Sequence, residues 1–221
     1  MFNVLRKEPA PACLLGKNYN HPSVIDTLHS MFLGKCYLCE SDNLQAPEVE
    51  HFIPHKDDDS LKYDWLNLFY SCARCNSIKS HTHIELLDCT HPFTDVFNEI
   101  IHVMPSIPSQ AVTIKPSSNA PSQLTLNTVT LLDKCFNLEN SSLRGVTRAS
   151  LLENLFSHYE YFLEQRMTLI NKRSSNKVIN DALDNLGQMC KDYYPFSVFW
   201  KWHLILDSVL IARHPRIKSI F

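Results

Sequence analysis

Glycine is scarce in this chain: four residues among 221, beside twelve prolines, which excludes collagen-like and glycine-rich disordered sequence. No apolar run approaches the ~18 residues that a membrane span needs. The first residues, Met1-Phe2-Asn3-Val4-Leu5-Arg6-Lys7, hold no apolar segment of signal-peptide type ahead of their charges. No internal repeat and no Walker A motif occurs, so any ATPase acting with this chain would have to be a separate one. With 44% apolar and 20% charged residues the composition is that of a soluble globular protein. These readings predict a soluble, cytoplasmic protein of one to two domains, long enough to bury roughly 70% of its unfolded surface.

A net charge of −2 gives no overall basic excess, but the charge is unevenly placed. Residues 1–90 carry 8 Lys and Arg against 12 Asp and Glu, residues 91–140 carry 2 against 4, and residues 141–221 carry 11 against 7. The basic C-terminal third is either an electrostatic footprint for a polyanion or a solvated helical surface.

The cysteines are few enough to place one by one. Four of the eight form two Cys-x2-Cys pairs, Cys36/Cys39 and Cys72/Cys75, while Cys13, Cys89, Cys135 and Cys190 stand alone. A disulfide framework belongs to short secreted chains without a sufficient core, and this chain is neither. Two Cys-x2-Cys knuckles present four thiolates on two tight turns, the donor set of tetrahedral structural Zn²⁺. The 32 residues between the pairs exceed the spacing of a simple zinc ribbon and imply an insertion. The single cysteines read as small buried apolar residues.

Helical spacing of Val24, Ile25, Leu28, Met31 and Phe32 predicts a helix that starts near Asn20–Ser23 and stops at Gly34. Residues 104–127, rich in Pro, Ser, Thr and Asn, read as a connector with a short strand at Ala111–Ile114. From about Leu143 the pattern is helical. Leu151, Leu152, Leu155, Tyr159, Phe162 and Met167 mark one long helix, residues 176–193 a second, and the segment after Pro195 a third. The division expected is residues 1–100, 101–140 and 141–221: a metal module, a connector and a helical region for partner docking or nucleic-acid contact.

The insertion carries the unusual polar residues. It reads Val49-Glu50-His51-Phe52-Ile53-Pro54-His55, then Asp64-Trp65-Leu66-Asn67-Leu68 before the second knuckle, and Cys75-Asn76-Ser77-Ile78-Lys79 after it. A neutral histidine can take the proton of an attacking water. A carboxylate and an amide oxygen suit Mg²⁺ or Mn²⁺, which polarises a scissile phosphate. An asparagine on the neighbouring strand can fix the ring of the base. Phosphodiester hydrolysis is the chemistry this set fits, with the zinc as a staple.

The ordered set Cys-x2-Cys, Glu-His-x-x-Pro, Trp-x-Asn-Leu, Cys-x2-Cys-Asn-x-x-Lys resembles the HNH endonuclease family over about residues 30–85. The resemblance implies an α+β protein, a small ββα-metal module stapled by the four-cysteine zinc and followed by a mainly helical C-terminal region. It implies His51 as general base, Asn67 as the residue orienting it, Glu50 and Asn76 as ligands of the catalytic metal, and Lys79 near the phosphate backbone. Glu50 stands where Asp is commoner, and Asn76 where many members have His. His55 and Asp57-Asp58-Asp59 lie beside the set, and read as surface histidine and solvated loop or as further contributors.

A second stretch, Leu126-Asn127-Thr128-Val129, Leu131-Leu132, Asn137-Leu138 and Leu143-Arg144, is similar to HNH nucleases that accompany an ABC-type ATPase in Septu and retron-associated anti-phage systems. That implies an effector nuclease acting on nucleic acid and gated by a separate ABC-type ATPase subunit. The rival readings are a free-standing restriction-type DNA endonuclease and a catalytically inactive zinc-stapled adaptor.

Overall fold

The computed structural model describes residues 1–139 and 147–220. Leu143 and Arg144 therefore lie outside the described residues. Helix α1 spans Pro22–Met31, with Pro22 in its first turn and the His21 side chain accepting from Ser23 N–H as the N-cap. It buries Val24, Leu28 and Met31 and ends at the Leu33–Gly34 turn. Gly34 has φ of 73°, and a Cβ there would stand 3.1 Å from His29 Nε2. The turn delivers the chain into the first cysteine knuckle.

Strands β1 (Pro47–His51) and β2 (Leu68–Cys72) pair antiparallel, with Glu50 opposite Phe69 and His51 opposite Leu68. Between them lies the short helix α2 (Asp59–Lys62), and β2 runs directly into α3 (Ala73–Lys79). This β1–β2–α3 unit is the frame of the candidate site.

Of the segment expected as a connector, residues 101–140, the described residues 101–139 hold regular elements. Helix α4 (Val96–Glu99) leads into β3 (Ile100–Val103), which pairs antiparallel with β4 (Thr113–Pro116). Helix α5 (Gln123–Asn137) follows, capped by Ser122. Its polar start, which includes Thr125 and Thr128, lies in the stretch expected to be a connector. Both are buried because their hydroxyls are bonded: Thr125 donates to Glu99, and Thr128 donates to Leu124 O while accepting from Leu87 N–H.

Three of the remaining helices follow the expected pattern: α6 (Arg148–Ile170), α7 (Asn176–Met189) and α8 (Ser197–Leu206), then the short α9 (Ser208–Arg213). Helix α7 stops at Met189, four residues before the expected end at Tyr193. Among the described residues the fold is α+β, with two small antiparallel hairpins and a helical C-terminal half.

One hydrophobic core runs from Phe2 and Leu28 through Phe69 and Phe136 to Trp200 and Ile217. Polar ties cross it. Buried Lys35 donates to Glu40 at 3.1 Å and to Tyr194 O at 3.0 Å, and Arg74 donates to Cys135 O and Leu138 O. Burial alone would push the Glu40 carboxyl up; the Lys35 ammonium and the N-terminal ammonium override it and hold Glu40 well below the usual carboxylate range.

His102 on β3 is fully buried, donates from Nδ1 to Ile100 O at 3.1 Å, and leaves Nε2 without a partner among the described residues. Desolvation pushes its pKa down to about 3, so the folded state holds the ring neutral while the unfolded chain takes up a proton near pH 6.5. Stability is therefore full above that pH and is lost as pH falls. Urea denaturation should show wild type losing about 1.4 kcal/mol more than His102→Leu between pH 7.5 and 5.5. Parallel pH dependences would contradict this.

Candidate active site

The four knuckle cysteines are all buried, and their sulfurs lie within 4.8 Å of one another. Among the described residues they are the only group of three or more His, Cys, Asp or Glu ligands so gathered. A tetrahedral Zn²⁺ with Zn–S of about 2.3 Å requires sulfurs about 3.8 Å apart. Cys39 and Cys72 stand at 3.9 Å. Cys72 also caps α3, accepting from Cys75 N–H at 3.4 Å, and Ser71 Oγ lies 3.7 Å from Cys36 Sγ. The donor set fits structural zinc, and it ties the turn after α1 to the β2–α3 junction.

Alternation along β1 puts Glu48 and Glu50 on one face, and α3 packs Asn76 and Lys79 against it one turn apart. Glu50 is 3% exposed; its Oε1 accepts from Lys79 Nζ at 2.7 Å, and its Oε2 is buried with no hydrogen-bond partner among the described residues. Burial outweighs the Lys79 ammonium and pushes the Glu50 carboxyl up to about 7. A buried carboxylate oxygen with no hydrogen-bond partner among the described residues is available to ligate a cation. Asn76 donates Nδ2 to Glu48 Oε2 at 2.6 Å, which fixes its amide and leaves Oδ1 as the acceptor. The residues present therefore fit a hard divalent cation held by Glu50 and Asn76.

His51 ends β1 on the other side of the strand. Its Nε2 is 3.0 Å from Lys62 O, and a carbonyl only accepts, so Nε2 carries the proton and the neutral ring keeps its lone pair on Nδ1. Desolvation lowers the His51 pKa, the bond to Lys62 O opposing it, so the ring is neutral near pH 7. Tyr19 and His55 pack edge-on against it, with ring centroids at 4.8 and 4.6 Å.

Asn67 does not touch the His51 ring. Its amide donates to Ile53 O and Leu61 O and accepts from Ile53 N–H, and its carbonyl accepts from Phe52 N–H. It clamps the loop that follows His51, and that loop carries Lys62 O. It reaches His51 only through that loop, one step removed from the direct contact expected.

Lys79, expected at the phosphate backbone, is fully buried; its ammonium donates to Glu50 and, at 2.9 Å, to His51 O. Its place at the inner face of α3 turns it toward β1 and away from solvent. His55 accepts from Asp57 N–H, Asp58 caps α2, and Asp59 pairs with exposed Lys17 at 2.5 Å, so the acidic run forms a local turn. Sequence reasoning missed Glu48 and Lys62. Glu48 was within reach, since the residue two before Glu50 in a strand shares its face. Lys62 acts through its carbonyl, which no side-chain pattern reveals.

A two-stranded hairpin, a following helix, a four-cysteine staple and a Glu-His pair at the end of the first strand define the class of this segment. Residues 36–82 match the family model described as HNH endonuclease, and this part of the chain is an HNH endonuclease module. Among curated proteins the chain is similar to the Septu protein PtuB of Bacillus thuringiensis, 37% identical over 68 residues. The match takes in 29% of this chain and 26% of that protein, so the chain spans about a quarter of the length of the curated relative it matches.

Cys39→Ser should reduce zinc from one ion per chain to none by elemental analysis and lower the thermal midpoint sharply. Retained zinc would contradict the four-sulfur site. Lys79→Met strands the Glu50 carboxyl and should cost about 2 kcal/mol or more in urea denaturation. A surface phosphate contact would leave stability unchanged.

Proposed function

We propose that this chain is a metal-dependent HNH endonuclease that hydrolyses phosphodiester bonds of nucleic acid. The observation that carries the reading is the His51–Lys62 bond. It commits Nε2–H to a backbone carbonyl and leaves Nδ1 as a base at the end of the strand that also carries the orphaned Glu50 oxygen. Burial keeps His51 neutral, so Nδ1 can accept the proton of a water attacking phosphorus. Glu50 Oε2 and Asn76 Oδ1 are the oxygens that would hold Mg²⁺ or Mn²⁺, and an ion there would polarise the phosphate and stabilise the leaving oxygen. Lys79 keeps Glu50 in place from behind, and Asn67 holds the loop that presents Lys62 O.

The likeness to a Septu protein supports a narrower reading: the effector nuclease of an anti-phage defence system, gated by a separate ABC-type ATPase. The helical half gives such a partner a broad surface, and the sequence has no Walker A motif of its own. Expressed with its genomic neighbours, the chain should co-purify with a larger ATPase. A monomer fully active alone would overturn the gating and favour a free-standing restriction-type enzyme.

A nuclease assay on plasmid, single-stranded DNA and tRNA, run with that partner present, tests the chemistry. His51→Ala should cut about 10²–10⁴-fold more slowly while keeping wild-type zinc content and stability. Full cleavage by His51→Ala would remove His51 from the mechanism, and equal silence of both proteins with every substrate would favour the adaptor.

A further inference from the structure

Six of the eleven Lys and Arg of residues 141–221 lie at one end of the helical half. Helix α6 ends at Ile170, and the turn to α7 carries Lys172, Arg173 and Lys177. The C-terminal segment docks on that turn: Arg213 donates to Ile170 O, His214 bonds Leu169 O at 2.9 Å, and Arg216 donates to Asn180 at 3.2 Å. These contacts satisfy carbonyls at the end of α6 that the helix leaves unpaired. They also bring Arg213, Arg216 and Lys218 beside the other three cations.

All six side chains are exposed, and none forms an ion pair among the described residues. Residues 169–180 and 213–219 contain no Asp or Glu, so the rest of the chain carries 15 Lys and Arg against all 23 acidic residues. Glu164 and Asp181 flank the two segments, and neither pairs with any of the six among the described residues. A merely solvated helical surface intersperses both signs, as the rest of this protein does. The 14-residue α7 also begins within the patch, adding the positive end of its dipole, and Asn171, Ser174 and Asn176 supply neutral polar groups.

We propose that the crest formed by the α6–α7 turn and residues 213–218 binds the phosphate backbone of nucleic acid, at a site separate from the HNH module. It takes from the proposed function only that nucleic acid is the polyanion. The patch lies along α6 from the knuckle: Asn154 contacts Ser41 at 3.5 Å, and Ile170 is sixteen residues further, about 24 Å at 1.5 Å per residue. The HNH module itself belongs to the acidic part of the chain, with 8 basic against 12 acidic residues in 1–90. A remote basic crest supplies the backbone affinity that the module lacks.

The test is fluorescence anisotropy of labelled duplex DNA, single-stranded DNA and RNA across a salt series, in a His51→Ala background that leaves the nucleic acid uncut. Substituting Lys172, Arg173 and Lys177 together by Ala should weaken binding about tenfold or more and reduce the slope of log K against log salt by up to about 3. None of these side chains makes a hydrogen bond among the described residues, so thermal stability should be unchanged. Lys115→Ala with Lys191→Ala, exposed charges elsewhere, is the control and should leave the slope near wild type. Unchanged affinity and slope in the triple variant would overturn the proposal, as would unchanged binding with loss of an acidic protein partner. Failure of the nuclease reading shows separately, as absence of cleavage by the chain with His51 intact while binding by the His51→Ala chain is retained.

Discussion

Four sulfurs within 4.8 Å of one another hold this molecule in register. They join the turn after α1 to the point where β2 becomes α3, two places far apart in sequence. β1 lies between them in the chain and pairs with β2, so its alignment against α3 follows from the staple. A zinc-bound knuckle does this with little chain, which suits a module whose strands are five residues each and too short to be stable as an isolated hairpin.

On that frame the interior of the site is organised by charge. Lys79 reaches through from α3 and is satisfied by Glu50 and by the carbonyl of His51, so one buried ammonium fixes both neighbours at the end of β1. The pair is incomplete: one Glu50 oxygen remains orphaned, and burial pushes the carboxyl up to about 7. A buried group in that state is costly unless something completes it, and a divalent cation shared with Asn76 would do so. His51 is held from the opposite side of the strand by the Lys62 carbonyl.

The sequence made the staple and the motif residues legible because both depend on residue type at fixed spacing. Cys-x2-Cys twice, Glu-His and Asn-x-x-Lys each state a local geometry. Helices α1, α6 and α8 were legible from apolar spacing. Helix α5 was not, since Thr125 and Thr128 are buried through hydroxyl bonds that only the folded chain supplies. The partners of the motif residues were also hidden. That Asn67 clamps a loop rather than a ring, and that Lys79 faces inward, depends on which way each element turns its side chains. The basic C-terminal third was visible as a sum of charges; its concentration at one end of α6 required the docking of residues 213–218 onto the α6–α7 turn.

The central claim is that β1 and α3 together hold a divalent cation in addition to the zinc of the knuckles. Crystals of the zinc-loaded protein soaked in Mn²⁺ and measured at the manganese and zinc absorption edges test it directly. The account predicts a zinc peak at the centre of the four sulfurs and a separate manganese peak bonded to Glu50 Oε2 and Asn76 Oδ1, lost in Glu50→Gln. Manganese absent from that position in the wild type, or present with ligands other than Glu50 and Asn76, would contradict it.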